Sequence, residues 1–214
     1  MKAQSLIVIP CSGRKRDGGD PAATWRTADS AVAHLSTASV DLLGRCRREL
    51  ARAFEYPSGH DLGSSGAQAP LMPARKRYGG NLYRQVKDAA WPPPRSSARV
   101  VIVSALYGLL TPEEPIREYN LTMGQQIPSG PRLWHWWREH DLPRLLAEYV
   151  DGCGVNVVHD FLSGNYRWVT DALYAARKAC RVHRHNYSVL GSGADFHRGR
   201  EIQRLLTRDP RRRS

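Results

Sequence analysis

The chain has 214 residues, 41% hydrophobic and 24% charged, proportions of a folded globular protein and not of a disordered or collagen-like one. Lys and Arg number 32 against 20 Asp and Glu, a net charge of +12. No apolar run approaches the roughly 18 residues that cross a bilayer, and Cys11, Cys46, Cys153 and Cys180 form no CxxC pair, which excludes a zinc ribbon.

The positive surplus suggests a polyanionic partner: DNA, RNA or a phosphorylated small molecule. The opening run Leu6-Ile7-Val8-Ile9-Pro10 is too short for a signal peptide and enters a charged loop. A cytoplasmic protein with reduced thiols is the expectation. No metal site, no cofactor and no membrane partner are expected.

Ser5 to Ile9 is predicted as a strand buried on both faces. It exits into Pro10-Cys11-Ser12-Gly13-Arg14-Lys15-Arg16. Ser12 and Gly13 free backbone N–H groups beside Arg14 and Lys15, a combination suited to phosphate or carboxylate. The GxxxxGK[ST] spacing of a P-loop is absent. Cys11 has two readings, a thiol activated by nearby cations or a small residue filling a strand end.

Residues 22–56 are predicted helical, with apolar positions from Val32 to Phe54. Residues 57–73, rich in Gly, Ser, Ala and Pro, read as a flexible insertion. Arg75-Lys76-Arg77-Tyr78 with Tyr83 suggests a strip that tracks a phosphate backbone and stacks bases. Asn81 is the expected cap of a helix running through Val86 and Ala90. Val100 to Val103 is a second buried strand. It exits at Ser104 into Tyr107, Gly108, the Glu113-Glu114-Pro115 turn, Glu118 and Tyr119. A buried strand that opens into a polar, aromatic loop is where open α/β sheets place ligands.

Residues 133–149 are predicted as one amphipathic helix whose tryptophans pack. A third strand, Val155 to Phe161, exits into Ser163-Gly164-Asn165-Tyr166. Helix is expected from Trp168 to Cys180, then strand from Arg181 to Leu190. The Gly191-Ser192-Gly193 turn leaves N–H groups free ahead of a last helix that carries Arg198 and Arg200. Residues 209–214 read as a basic disordered tail. The prediction is a single α/β domain over residues 1–208, with a largely parallel sheet flanked by helices. Four exits, at Cys11, Ser104, Ser163 and Gly191, converge on one edge of that sheet.

In order, Asn81-Leu82-Tyr83, Ser104-Ala105-Leu106-Tyr107-Gly108-Leu109, Pro115 with Tyr119 and Leu121-Thr122-Met123, Ser163-Gly164-Asn165-Tyr166, and Arg198-Gly199-Arg200 resemble the motifs of the YaaA peroxide-stress family. The opening Pro10-Cys11-Ser12-Gly13-Arg14-Lys15 is similar to a sister group of YaaA-like domains, and its Pro10-Cys11-Ser12 to the start of the archaeosine synthase core. The resemblance implies a fold distantly related to uracil-DNA glycosylases, DNA binding and a role against oxidative damage.

The leading expectation is a nucleic-acid- or nucleotide-acting protein that cleaves or exchanges an N-glycosidic bond. Tyr107 or Tyr166 stacks on a base whose edge Asn165 reads. Arg14, Lys15, Arg198 and Arg200 hold phosphate, with Ser12, Gly13, Tyr83, Gly108, Tyr119, Ser163 and Ser192 completing the binding set. Glu114, Glu118 or Asp160 faces the charge that builds on the sugar, and Asn165 or Ser104 the leaving base. Cys11 is a candidate covalent nucleophile. The rivals are a non-catalytic DNA-binding stress protein and a small-molecule enzyme of nucleoside metabolism.

Overall fold

A computed structural model of the chain describes residues 5–65, 69–92, 98–175 and 180–207. Its centre is strand β1 (Ser5–Pro10), with Leu6, Ile7, Val8 and Ile9 wholly buried. β1 pairs in parallel with β3 (Ala98–Ser104) on one side and β6 (Val157–Asp160) on the other. β6 pairs in parallel with β7 (Arg181–Arg184), and β3 turns back into the antiparallel β4 (Gly108–Leu110). The order is β4-β3-β1-β6-β7, beside a separate two-stranded ribbon of β2 (Met72–Pro73) and β5 (Pro115–Ile116). The two central apolar runs form strands for the predicted reason: a strand covered on both faces needs no alternation. The outer strand β7 is instead largely charged and exposed, which discourages edge-to-edge pairing.

The helices are shorter than predicted. Of residues 22–56 only α1 (Thr37–Ala53) is α-helical. The Ser36 hydroxyl accepts from Ser39 N at 3.4 Å and so sets its start. The preceding stretch holds only 3-10 turns at Thr27–Asp29 and Ala31–His34. It is pinned to Glu114, whose carboxylate accepts from Trp25 Nε1 at 3.1 Å and Ala31 N at 3.0 Å. Short α2 (Ala74–Arg77) and α3 (Asn81–Arg84) follow. Gly80, not Asn81, is the cap of α3; Asn81 Oδ1 accepts from Arg84 Nη2 at 2.6 Å.

The single helix expected over 133–149 is two, α4 (Leu133–Glu139) and α5 (Leu142–Cys153). They are separated at Asp141, whose φ of 59° is left-handed. Pro143 then occupies the first turn of α5, where its missing N–H costs nothing. Past β6 the chain forms a 3-10 turn, Gly164–Thr170, and α6 (Asp171–Ala175); β7 ends at Arg184, well short of the predicted Leu190. A 3-10 turn at Ser188–Gly193 leads into α7 (Ala194–Thr207).

The start of the supposed flexible insertion is anchored. Arg117 Nη2 and Nε donate to the two oxygens of Asp61 at 2.6 and 2.8 Å. Tyr107 OH donates to the same carboxylate at 2.6 Å, and all three residues are buried. Residues 66–68, in the same stretch, and the terminal 208–214 lie outside the described residues. Among the described residues no helix is long and apolar enough to cross a membrane.

Candidate functional site

Because β1, β3 and β6 run parallel, Cys11 just past β1, Ser104 at the end of β3 and Ser163 past β6 lie at the same edge of the sheet. Cys11 keeps its backbone in the ladder, donating to Val103 O at 2.8 Å. Its Sγ lies 3.1 Å from Tyr166 OH, delivered by the 3-10 turn after β6. Together with Gly13, Met123 and Asn165 they line a cleft of about 330 Å³. A second lobe of about 450 Å³, walled by Gly164, Ser188 and Gly191, adjoins it. Ser163, Asp195 and Arg198 line both lobes. The two volumes are of the size that holds a small molecule. Gly191 reaches the cleft although it lies past the end of β7, through the turn that opens α7.

Behind Cys11 the hydroxyls close a buried triangle. Tyr78 OH and Tyr119 OH are 2.8 Å apart, and Ser104 Oγ is 3.0 Å from Tyr119 OH and 3.4 Å from Tyr78 OH. Tyr107 N also donates to Ser104 Oγ at 3.1 Å. Tyr83 OH donates to Pro10 O at 2.8 Å. Burial, and then Cys11 or a neighbouring Tyr, pushes the phenols of Tyr78, Tyr83, Tyr119 and Tyr166 well above the ordinary tyrosine range, so all four stand as neutral hydrogen-bonding groups. The cleft floor is thus one thiol on a neutral, rigid aromatic bed.

The candidates divide. Cys11, Gly13, Ser163, Asn165, Tyr166 and Arg198 line the cleft. Ser12 lies just beneath, its Oγ accepting from Arg14 N at 3.1 Å; a methyl group on Gly80 would come within 2.4 Å of that oxygen. Asn165 packs over Gly124, where a methyl group would lie 2.6 Å from Nδ2. Ser104, Tyr83 and Tyr119 form the bed and do not line the cleft. The backbone of Ser192 lies in the turn before α7, and its side chain is outside the described residues.

Other candidates are committed elsewhere. Lys15 Nζ donates to Leu121 O at 2.8 Å and sits 4.2 Å from the Tyr119 ring centroid. Burial lowers its pKa, against an opposing pull from Cys11. Arg14, Arg200 and Glu118 are exposed and do not line the cleft. Tyr107 is wholly buried against Asp61, so it offers no face for stacking. Gly108 serves the β3–β4 turn at φ 71°.

Two carboxylates predicted near the sugar are internal struts. Glu114 pairs with Arg47 at 3.2 Å besides its bonds to Trp25 and Ala31. Asp160 accepts from Leu162 N at 2.9 Å, Thr170 Oγ1 at 2.8 Å, Tyr174 OH at 3.2 Å and Arg184 Nε at 3.3 Å. It shapes the β6 exit from inside. The predicted base-stacking strip is a further correction: Arg77 and Tyr78 are wholly buried, and Arg75 pairs with Glu113 and Asp88.

The residue that sequence reading missed is Asp195, the one carboxylate lining the cleft among the described residues. Its Oδ1 accepts from Arg198 Nη1 at 2.7 Å across one turn of α7. An acid three residues ahead of an arginine at a helix start was the available signal. Arg198 is 6% exposed, yet its buried Nε has no hydrogen-bond partner among the described residues. Among those residues no three His, Cys, Asp or Glu side chains group closely enough to hold a metal ion.

The arrangement defines an α/β protein with a cation-bearing cleft at the carboxyl edge of a mostly parallel sheet. The family model described as peroxide stress protein YaaA matches residues 15–208, and the chain belongs to that family. It is 32% identical over 188 residues to a UPF0246 protein of Corynebacterium glutamicum, an alignment covering 76% of this chain and 68% of that one. A UPF0246 protein of C. glutamicum strain R is 42% identical over 104 residues, 46% of this chain and 39% of the other. One from Ruegeria pomeroyi is 27% identical over 136 residues, 61% and 50%. The chain thus spans about two thirds of the first relative and half or less of the other two.

Proposed function

We propose that this chain is a cytoplasmic protein that binds a phosphorylated nucleoside in the cleft and acts at its N-glycosidic bond. The observation that carries the reading is Arg198: a buried cation lining both lobes, paired through Nη1 with Asp195 and with its Nε unpartnered among the described residues. Guanidinium donors held in place favour a phosphate. Asn165 supplies an amide for a base edge, and Tyr166 presents a neutral hydroxyl and ring edge beside it. Asp195 is the carboxylate available to the positive charge that develops on the sugar as the bond breaks, a role that Glu114 and Asp160 give up to their buried partners. The YaaA-like motifs of the sequence, whose resemblance implies a fold distantly related to glycosylases, support the choice of bond.

A free nucleotide is favoured over a polymer. A basic and aromatic strip beyond the cleft would have argued for nucleic acid, and Arg77 and Tyr78 are inside the protein instead. The test is thermal stabilisation by nucleobases, nucleosides, nucleoside monophosphates and short DNA at two salt concentrations. A ligand at about 100 times its Kd adds about 2.7 kcal/mol. The expected result is a nucleoside monophosphate shift that survives high salt, followed by base release seen by chromatography and lost in Asp195→Asn. A shift given by DNA alone and abolished by salt is backbone electrostatics and would overturn the reading in favour of a DNA-binding protein.

A further inference from the structure

We propose that Cys11 is a site of mixed-disulfide modification by the disulfide of a small anionic thiol. The inference stands on the cleft geometry and does not require that the ligand be a nucleotide. Cys11 is 8% exposed, but its residual surface opens into the cleft. A neutral thiol-reactive molecule gains nothing from the charged groups of that cleft. An anionic one does, because the same cleft is lined by Arg198, nine-tenths buried and with its Nε unpartnered among the described residues, even though Asp195, paired to its Nη1 at 2.7 Å, lines the cleft as well. Desolvated cations of this kind raise the local concentration of anions.

The other thiols are worse placed. Cys46 is buried, and burial pushes its pKa up to about 12. Cys153 is buried, and Cys180 is partly exposed; burial pushes both upward. Neither Cys46, Cys153 nor Cys180 lines the cleft. Tyr166 OH, 3.1 Å from Cys11 Sγ, can donate to the thiolate as it forms.

The step is thiol–disulfide exchange. The Cys11 thiolate attacks one sulfur of the incoming disulfide, a Cys11–sulfur bond forms and the original S–S bond breaks. The departing thiolate takes the proton that the Cys11 thiol shed to solvent. No oxidant beyond the disulfide itself is needed. The product occupies the lobe that Asn165 and Tyr166 frame, so modification closes the cleft to other ligands.

The experiment treats the folded full chain with glutathione disulfide and with the neutral 2-hydroxyethyl disulfide, and follows adducts by intact mass and peptide mapping. Each rate is divided by the rate of the same reagent on the unfolded chain. Glutathione disulfide is expected to label Cys11 first and reversibly, with a normalised rate about tenfold above that of the neutral reagent. Arg198→Gln is expected to remove that preference. Because the comparison of reagents is made on the unaltered protein, it holds even if the variant folds poorly. First labelling at Cys180, equal normalised rates for the two reagents, or an unreactive Cys11 would each overturn the proposal.

Discussion

Asp61 and Arg117, distant in sequence, meet through two hydrogen bonds of 2.6 and 2.8 Å in a site that excludes water. Removing one partner strands the other as a buried charge. Asp61→Ala should therefore cost about 3–5 kcal/mol, read as a lower urea midpoint. The double variant Asp61→Leu with Arg117→Met should recover most of that loss. If the double variant is as unstable as the single, stranded charge is not the cause.

Gly108 holds a φ of 71°, and a methyl group there would lie 2.8 Å from Leu43 Cδ1 and from the Trp137 ring. Gly108→Ala combines left-handed strain with overpacking and should cost about 2–4 kcal/mol. Thermal unfolding indistinguishable from that of the parent would show that the turn can relax.

The hydroxyl triangle predicts an order of effects. Ser104 Oγ serves Tyr78, Tyr119 and Tyr107 N at once. Ser104→Ala leaves several buried groups short of a partner and should cost about 2–3 kcal/mol; Tyr119→Phe removes a donor and should cost about 1 kcal/mol. Denaturant melts of the two variants check the ranking.

His159 on β6 gives a pH dependence with a defined sign. Burial first, then His185 and His183, lowers its pKa from 6.5 to about 4; its Nδ1 lies 3.1 Å from His185 Nε2. The unfolded chain takes up a proton near pH 6.5 that the folded chain refuses until about pH 4. The stability held above pH 6.5 thus declines as pH falls from 6.5 towards 4, then levels off. Urea midpoints across that window should fall less steeply for His159→Gln. Identical slopes would place the dependence on other groups.

Arg198→Gln bears on the proposed ligand. Loss of a charged donor to phosphate should weaken nucleoside monophosphate binding by about 1.5–3 kcal/mol, measured by calorimetry. Affinity for the corresponding nucleoside, which has no phosphate, should be unchanged. Equal losses for both would remove Arg198 as the phosphate contact.

The buried strands and their exits were legible because two-sided burial leaves an unalternating β-branched run, as at Leu6 to Ile9 and Val100 to Val103. Cys11, Ser163, Asn165 and Tyr166 followed from those exits. The long helices were not legible in the same way. The apolar positions from Val32 onward make residues 22–36 look like the start of a long helix, but Glu114 ties that stretch down by side-chain acceptance from Trp25 and Ala31, a tertiary contact that local pattern does not encode. Glu114 and Asp160 look catalytic in sequence for the reason that they are useful inside: a carboxylate satisfies many donors at once. Arg77 and Tyr78 look like a binding surface only until their burial is known, and Lys15 only until its bond to Leu121 O is seen.

The strand at the middle of the sheet has far-off partners: Ser5 aligns with Ala98 on one side and Val157 on the other. Closing loops of roughly 90 and 150 residues carries an entropic cost that precedes any reward from pairing. Leu6 to Ile9 must therefore wait as an exposed, aggregation-prone segment until distant parts of the chain arrive. Refolding should be slow and best in dilute solution, and mutations in β1 should act on yield from the ribosome before they act on the finished protein.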